Sequence, residues 1–561
     1  MNEELARLAD EYWELELERS PTTGLFIGDY RRADEMEDLT RAAEDEFIER
    51  FDSVATAAKE IDPATLTTDE QVTRAVMMEE ANGAATELRS RFAEFAVDPS
   101  SGLHVELLQL VGQITVPNAE VADAIVTKWS RLATTFDQAL KRLRQGIARD
   151  RTPPAISVQK TMAQIDDYLA SDLANDPFIN LTPPRDFTID ETAAWRDRLT
   201  EQVVNSVRPG YAAYRDTLWG EVLEKSRPPE RTGLVWLPDG GEAYAGAIRR
   251  HTSLDLAPLD IHNIGLDEIT QIRGQYRELG SRVLGTDSLT MIYQHLRNDP
   301  ALRFENVEQI VAAAQASMDR ARAAIPDWFG RLPQTDCVMA QIPGPGAEQA
   351  PLAFYLPPAV DGSRPGTYFI NTTEPATRTR YESEALAFHE SIPGHHLQIA
   401  IAQELGGIPE FRKHALVTAY VEGWGLYTER LADEMGLYSG DLERMGILSF
   451  DSWRAGRLVV DTGMHALGWS RDEAIEYLIM NSPQAPNNIE TEIDRYIGRP
   501  GQALAYKLGQ REIFRLRDEA QRRLGADFDI KGFHDVVLDS GPVPLPLLAE
   551  RVGAWEPEGT A

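Results

Sequence analysis

The sequence predicts a mainly helical protein with a small β-sheet set just ahead of its most chemically distinctive helices. Three observations predict this. Apolar residues recur with a helical period of about 3.6 over long stretches in both halves of the chain. Gly and Pro with short alternating or β-branched pieces crowd the region just after residue 330. Helical patterning then resumes from about Arg380.

The elements follow in chain order. "NEELARLADEYWELELE" places Leu5, Leu8, Tyr12 and Leu15 on one helix face. "AEVADAIVTKWSRLATTFDQALKRLRQGIARD" predicts one long helix with no internal breaker. "TAAWRDRLTEQVVNSVRPGYAAYRDTLWGEVL" predicts another, bent at Arg208-Pro209-Gly210. "NVEQIVAAAQASMDRARAAIPDWFG" predicts a third. Pro-rich connectors fall at 151–156 and 227–239. Cys337–Ile342, Ala353–Leu356 and Thr367–Asn371 predict strands. The expected organisation is a helical N-terminal half, 1–330, and a second half, 331–561, that carries the chemistry. The second half divides into a small sheet (335–372), metal helices (380–435) and substrate-side helices (450–525).

Composition narrows the function. No run approaches the roughly 18 apolar residues of a membrane span. The first residues, "MNEELARLADEYWELELERS", are acidic and amphipathic rather than basic and then apolar, which predicts a cytoplasmic location. The net charge of -34 repels nucleic acid and anionic lipid. Lys is scarce beside Arg, which fits either a surface that needs high salt to stay folded or an acidic protein from an Arg-rich proteome. A single cysteine, Cys337, rules out an intramolecular disulfide and any Cys-rich zinc site. It reads as an inert small hydrophobe. A bound metal must therefore be held by His and carboxylate.

"FHESIPGHHLQ", Phe388–Gln398, is the stretch that bears on a metal. It begins like H-E-x-x-H, in which two imidazoles one helical turn apart hold zinc and the Glu acts as base. Here the second histidine is delayed. On a regular helix His395 lies about 120° from His389, and His396 lies about 20° off but two turns away. Pro393 lacks an N–H and clashes with the carbonyl four residues back, and Gly394 tolerates unusual backbone angles. The segment should therefore kink between the histidines. A kink absorbing Pro393-Gly394 brings His395 to the usual second-ligand position, with His396 as the alternative ligand. The histidine left over is then a substrate-facing or supporting catalytic group.

The third ligand should be a carboxylate on a nearby helix. "ALVTAYVEGWGLYTERLADEMG" places Glu422 and Glu429 seven apart on one face. Glu422 sits beside Val421 and the small Gly423 and Gly425, an inward setting that favours a cation. The expected set is His389, His395 and Glu422 around one Zn2+ per chain, with Glu390 as base and Glu429 orienting a ligand histidine. Further on, "RAGRLVVDTGMHALGWS" puts Asp461 and His465 four apart on one helix face, a pair able to steady an oxyanion.

"FHESIPGHHLQ", "YVEGWGLYTE", "DTGMHALGWS" and "RYIGRPGQALAYKLG" together resemble a widespread family, a "domain of unknown function" with the HExxPGHH signature. The likeness covers nearly the whole chain in motif order. It implies a large helical fold similar to gluzincin zinc peptidases of the thimet oligopeptidase and carboxypeptidase Taq type, with a deep channel and zinc on its wall. In those folds, oxyanion and substrate groups come from helices after the metal site. That implies Tyr506 as oxyanion donor and Arg495 as carboxylate anchor, with Tyr496 and Lys507 beside substrate. "GTYFINT", 366–372, would be a strand on whose edge a peptide could lie, or a plain structural hairpin.

The activity expected is zinc-dependent hydrolysis of short peptides. Glu390 takes a proton from water and returns it to the leaving amine. Two other readings use the same residues: hydrolysis of a non-peptide amide conjugate, and a non-catalytic binding protein with a degenerate site.

Overall fold

The computed structural model describes residues 1–342, 351–359, 364–415 and 417–557. The Gly/Pro-rich stretch 343–350 lies outside them. The first helix, α1 (Glu3–Arg19), starts where the Asn2 side chain accepts the backbone N–H groups of Glu4 and Leu5, which satisfies donors left open at a helix start. Leu5, Leu8, Tyr12 and Leu15 are all buried, as their spacing demands. Each such side chain contributes roughly 1.5–3 kcal/mol on burial.

Helix α2 (Ala119–Ile147) is capped by Asn118. Its Val121, Ile125, Trp129, Leu132, Phe136, Leu140 and Leu143 are buried in a core formed by residues 25–222. Helical structure does not end at Arg208-Pro209-Gly210: Ile189–Gln202 continues through a wide turn at Val203–Val207 into Arg208–Thr217. Pro209 thus falls in the first turn of the following segment, where its missing N–H costs nothing.

A larger core draws on both ends of the chain, from Leu5 to Val552. Around it lie α3 (Pro258–Val283), α4 (Ser383–Glu390), α5 (His395–Gln403), α6 (Thr418–Glu434), α7 (Asp441–His465), α8 (Pro486–Gly498) and α9 (Ala505–Leu524). Two close pairings organise them, α3 on α7 and α6 on α9. Glycines permit both. Gly265 of α3 lies against Leu458 and Val459, and Gly423 of α6 lies on the Gly509 backbone of α9. From Met445 to His465 every residue of α7 is buried.

The sheet has three strands, β1 (Cys337–Gln341), β2 (Ala353–Leu356) and β3 (Gly366–Ile370). The order is β1-β3-β2, with β1 parallel and β2 antiparallel to β3. This corrects the edge-strand reading of "GTYFINT": β3 is central, both its sides are hydrogen-bonded, and it offers no free edge. Among the described residues, no helix is long and apolar enough to cross a membrane.

Candidate metal centre

The helix carrying His389 ends one residue later. Ser391 and Gly394 leave helical geometry, and α5 begins at His395. A side chain at Gly394 would overlap the His389 carbonyl, so the chain turns back on itself where only glycine fits. The Trp424 indole N–H donates to the Pro393 carbonyl (3.0 Å), and the Thr428 hydroxyl donates to the Phe388 carbonyl (3.2 Å). Helix α6 thereby holds the break in place.

The break brings His389, His395 and Glu422 together, with one potential ligand atom from each lying within 4.8 Å of the others. His389 Nε2 is 3.9 Å and His395 Nε2 is 3.6 Å from the same Glu422 oxygen. These separations exceed hydrogen-bond length. They approach the roughly 3.3 Å expected between ligand atoms arranged tetrahedrally about zinc at 2.0–2.1 Å. Two imidazoles and a carboxylate form a donor set that suits zinc, which leaves a fourth position for water. The residues therefore fit the metal that the motif implies.

The surrounding groups prepare the donors. His389 Nδ1–H donates to Glu429 (2.8 Å), which leaves Nε2 free to ligate. Gly425 lies directly under the His389 ring, where a methyl group would come within 2.7 Å. Burial, then neighbouring His395, Arg454 and Arg457, hold His389 well below its ordinary pKa, so the ring is neutral. Burial pushes Glu429 up to about 8. On the second ligand, His395 Nδ1 and Gln398 Oε1 are both buried without a full hydrogen bond.

Glu390 has its carboxyl raised above the ordinary range by burial and by the Glu422 charge, while His395, Arg454 and the Tyr355 backbone N–H pull it down. Burial also raises Glu422, but His395, Arg457 and the nearby Tyr506 hydroxyl outweigh it and leave the carboxyl below its usual value. Glu422 keeps 21% side-chain exposure, so the cluster reaches solvent on that side.

Other sequence-derived candidates lie elsewhere. His396 is not available for chemistry. Its Nδ1 accepts from the Tyr355 hydroxyl (2.9 Å), and its Nε2 faces the Thr335 carbonyl at 3.1 Å. Burial lowers it to about 4. His465 is likewise structural. It accepts from the Leu234 N–H (3.1 Å) and faces the Tyr496 carbonyl at 3.0 Å, so no ring nitrogen remains for an oxyanion. Asp461 does not pair with it but accepts from the Tyr244 hydroxyl and the Gly501 N–H.

The expected substrate groups are also taken. Lys507 is buried in an ionic cluster with Asp451 and Glu268. The Tyr496 hydroxyl donates to Glu492 (2.7 Å) and accepts from Arg457 and Trp453. Arg495 grips Glu492 with both arms and Gln502 with a third N–H. Tyr506 alone of these reaches the metal cluster, through Glu422.

Two residues that carried no role in the sequence reading stand out. Arg454 lies over the Phe450 and Trp453 rings (4.6 and 4.5 Å). Arg457 lies over Trp453 and Tyr506 (4.6 and 4.5 Å). Their signal in the sequence was "RAGR", two cations three apart inside a largely apolar helix, with Asp451 three residues before Arg454 and Asp461 four residues after Arg457; the structure gives Asp451 to Arg430 and Lys507 and Asp461 to Tyr244 and Gly501.

Residues 21–552 match the family described as "Bacterial protein of unknown function (DUF885)", and the chain belongs to that family. It is similar to a crystal structure of a "putative lipoprotein" from Colwellia psychrerythraea, with 25% identity and a TM-score of 0.91 over 98% of this chain and 99% of that one. It shares the fold of a "putative lipoprotein of unknown function" from Shewanella oneidensis, with 16% identity and a TM-score of 0.74 over 97% and 99% of the two chains. Comparison with curated proteins returns no match.

Proposed function

We propose that this member of the DUF885 family is a zinc-dependent metallopeptidase that hydrolyses short peptides. The observation that carries the reading is the convergence of His389, His395 and Glu422 within 4.8 Å, next in sequence to the half-buried Glu390. The family's HExxPGHH motif implies a fold of the gluzincin peptidase type, which supports the same reaction class. Zinc bound there would polarise a carbonyl and lower the pKa of water.

The protein groups do the rest. His389 presents a neutral nitrogen, and His395, whose pKa Glu422 raises against burial, gives up its proton when it ligates. Glu429 fixes the His389 tautomer. Glu390, raised by burial, holds a proton taken from water at its carboxylate and passes it to the leaving amine. The Tyr506 hydroxyl, near enough to Glu422 to lower its pKa, is the nearby donor able to turn toward a developing oxyanion.

The test is to load the purified protein with zinc, incubate it with a mixture of two- to six-residue peptides, and read cleavage by mass spectrometry. Zinc-dependent cleavage is expected. A protein that binds one zinc and cuts none of them would sink the peptidase reading. A cytoplasmic location belongs to the same proposal. Cell fractionation tests it, and recovery in the membrane fraction, as for a lipoprotein, would replace it.

A further inference from the structure

Arg454 is an unusual arginine. It is 7% exposed, and its Nε and Nη1 are buried without a hydrogen-bond partner. Arg457, one turn on, spends Nε on the Tyr496 hydroxyl and Nη2 on Glu492, while its Nη1 is also unpartnered. Aromatic rings hold both guanidinium groups by their faces. Stacking fixes the plane of a guanidinium while leaving its N–H edge free. A buried charge with open donors is costly unless an anion completes it. Arg454 is also close enough to His389, Glu390 and Glu429 to bear on the charge of all three. Arg454 therefore lies near the metal cluster.

We infer that Arg454, aided by the open edge of Arg457, is the anion receptor of this site and takes the terminal carboxylate of a short peptide. The planar N–H fork matches a carboxylate bidentately. A carboxylate seated there places the adjoining peptide bond toward His389, His395 and Glu422, so cleavage releases the carboxy-terminal residue. The inference rests on the peptidase reading and adds the substrate class and the direction of cleavage. The role expected of Arg495 passes to Arg454, because Arg495 is already occupied.

The experiment compares zinc-loaded wild type, Arg454→Met and Arg454→Lys on one tripeptide as free acid and as carboxy-terminal amide. Circular dichroism and zinc content check each fold. Wild type should favour the acid by about 100-fold in kcat/KM. Arg454→Met should lose that preference while keeping its zinc, and Arg454→Lys should keep part of it. An acid-to-amide ratio unchanged in Arg454→Met, or near one in wild type, overturns the inference. If wild type cleaves neither peptide, the peptidase reading has failed, and calorimetric titration then decides the receptor. N-acetyl-leucine binding that N-acetyl-leucinamide does not share, and that Arg454→Met abolishes, supports it. No such binding overturns it. Binding or cleavage that instead follows an acidic side chain in an amidated peptide overturns the assignment to the chain terminus.

Discussion

Glu429 of α6 accepts a hydrogen bond from His389 Nδ1 of α4 at 2.8 Å, across forty residues of sequence. This contact sets which nitrogen of His389 faces the cluster, and Gly425, one turn earlier on the same helix, leaves room for the ring. Replacing Glu429 by Leu should weaken zinc binding about 10- to 100-fold, read by competition with a chelating dye. Glu429→Gln, which retains an acceptor, should lose less. Equal affinity in the Leu variant would remove the orienting role.

The helix break predicts which histidine holds metal. Elemental analysis should find one zinc per chain in wild type and in His396→Ala, and none in His395→Ala. Loss confined to His396→Ala would move the ligand and reject the geometry described here.

Gly394→Ala tests the break itself. The added methyl would overlap the His389 carbonyl, which belongs to the backbone and cannot swing aside. The variant should lose zinc and be destabilised by several kcal/mol, the range for overpacking combined with backbone strain. Denaturant unfolding measures it, and a variant as stable as wild type would show that the turn is looser than drawn.

Glu390→Gln keeps shape and removes the base. Peptide turnover should fall by about 10²–10⁴-fold, as for loss of a general base, while zinc content stays at one per chain. Undiminished turnover would sink the assignment of Glu390.

Asp461 makes stability depend on pH. Burial pushes its carboxyl from 3.8 up to about 7, against hydrogen bonds from the Tyr244 hydroxyl and the Gly501 N–H. Between about pH 4 and about pH 7 the unfolded chain has released this proton while the folded chain keeps it. Folding stability contributed by this group therefore falls as pH rises through that window. The gap corresponds to on the order of 4 kcal/mol, at about 1.4 kcal/mol per unit. Asp461→Asn should flatten the decline between pH 4 and 7 relative to wild type in chemical denaturation. An identical slope in both proteins would show that Asp461 is ionised throughout.

The sequence by itself determined the helical class, the three strands and the helix break, because these depend on neighbours within a few residues. The face of α1 follows from the spacing of Leu5, Leu8, Tyr12 and Leu15. The break at Pro393-Gly394 follows from a missing N–H and a carbonyl four residues back. Glu422 and Glu429 were legible because helical geometry places residues seven apart on one side.

Tertiary structure alone decided which polar side chains remain free. His465 is satisfied by Leu234, Lys507 by Glu268 and Asp451, and His396 by Thr335 and Tyr355. Each partner arrives from a distant part of the chain that no local spacing reveals. The same holds for the sheet, where β3 became central only because β1 and β2 pair on either side of it. Arg454 is the converse case. Nothing in its neighbourhood of sequence separates it from Arg495, yet packing gives one a carboxylate and leaves the other without, since burial and pairing are properties of the assembled core.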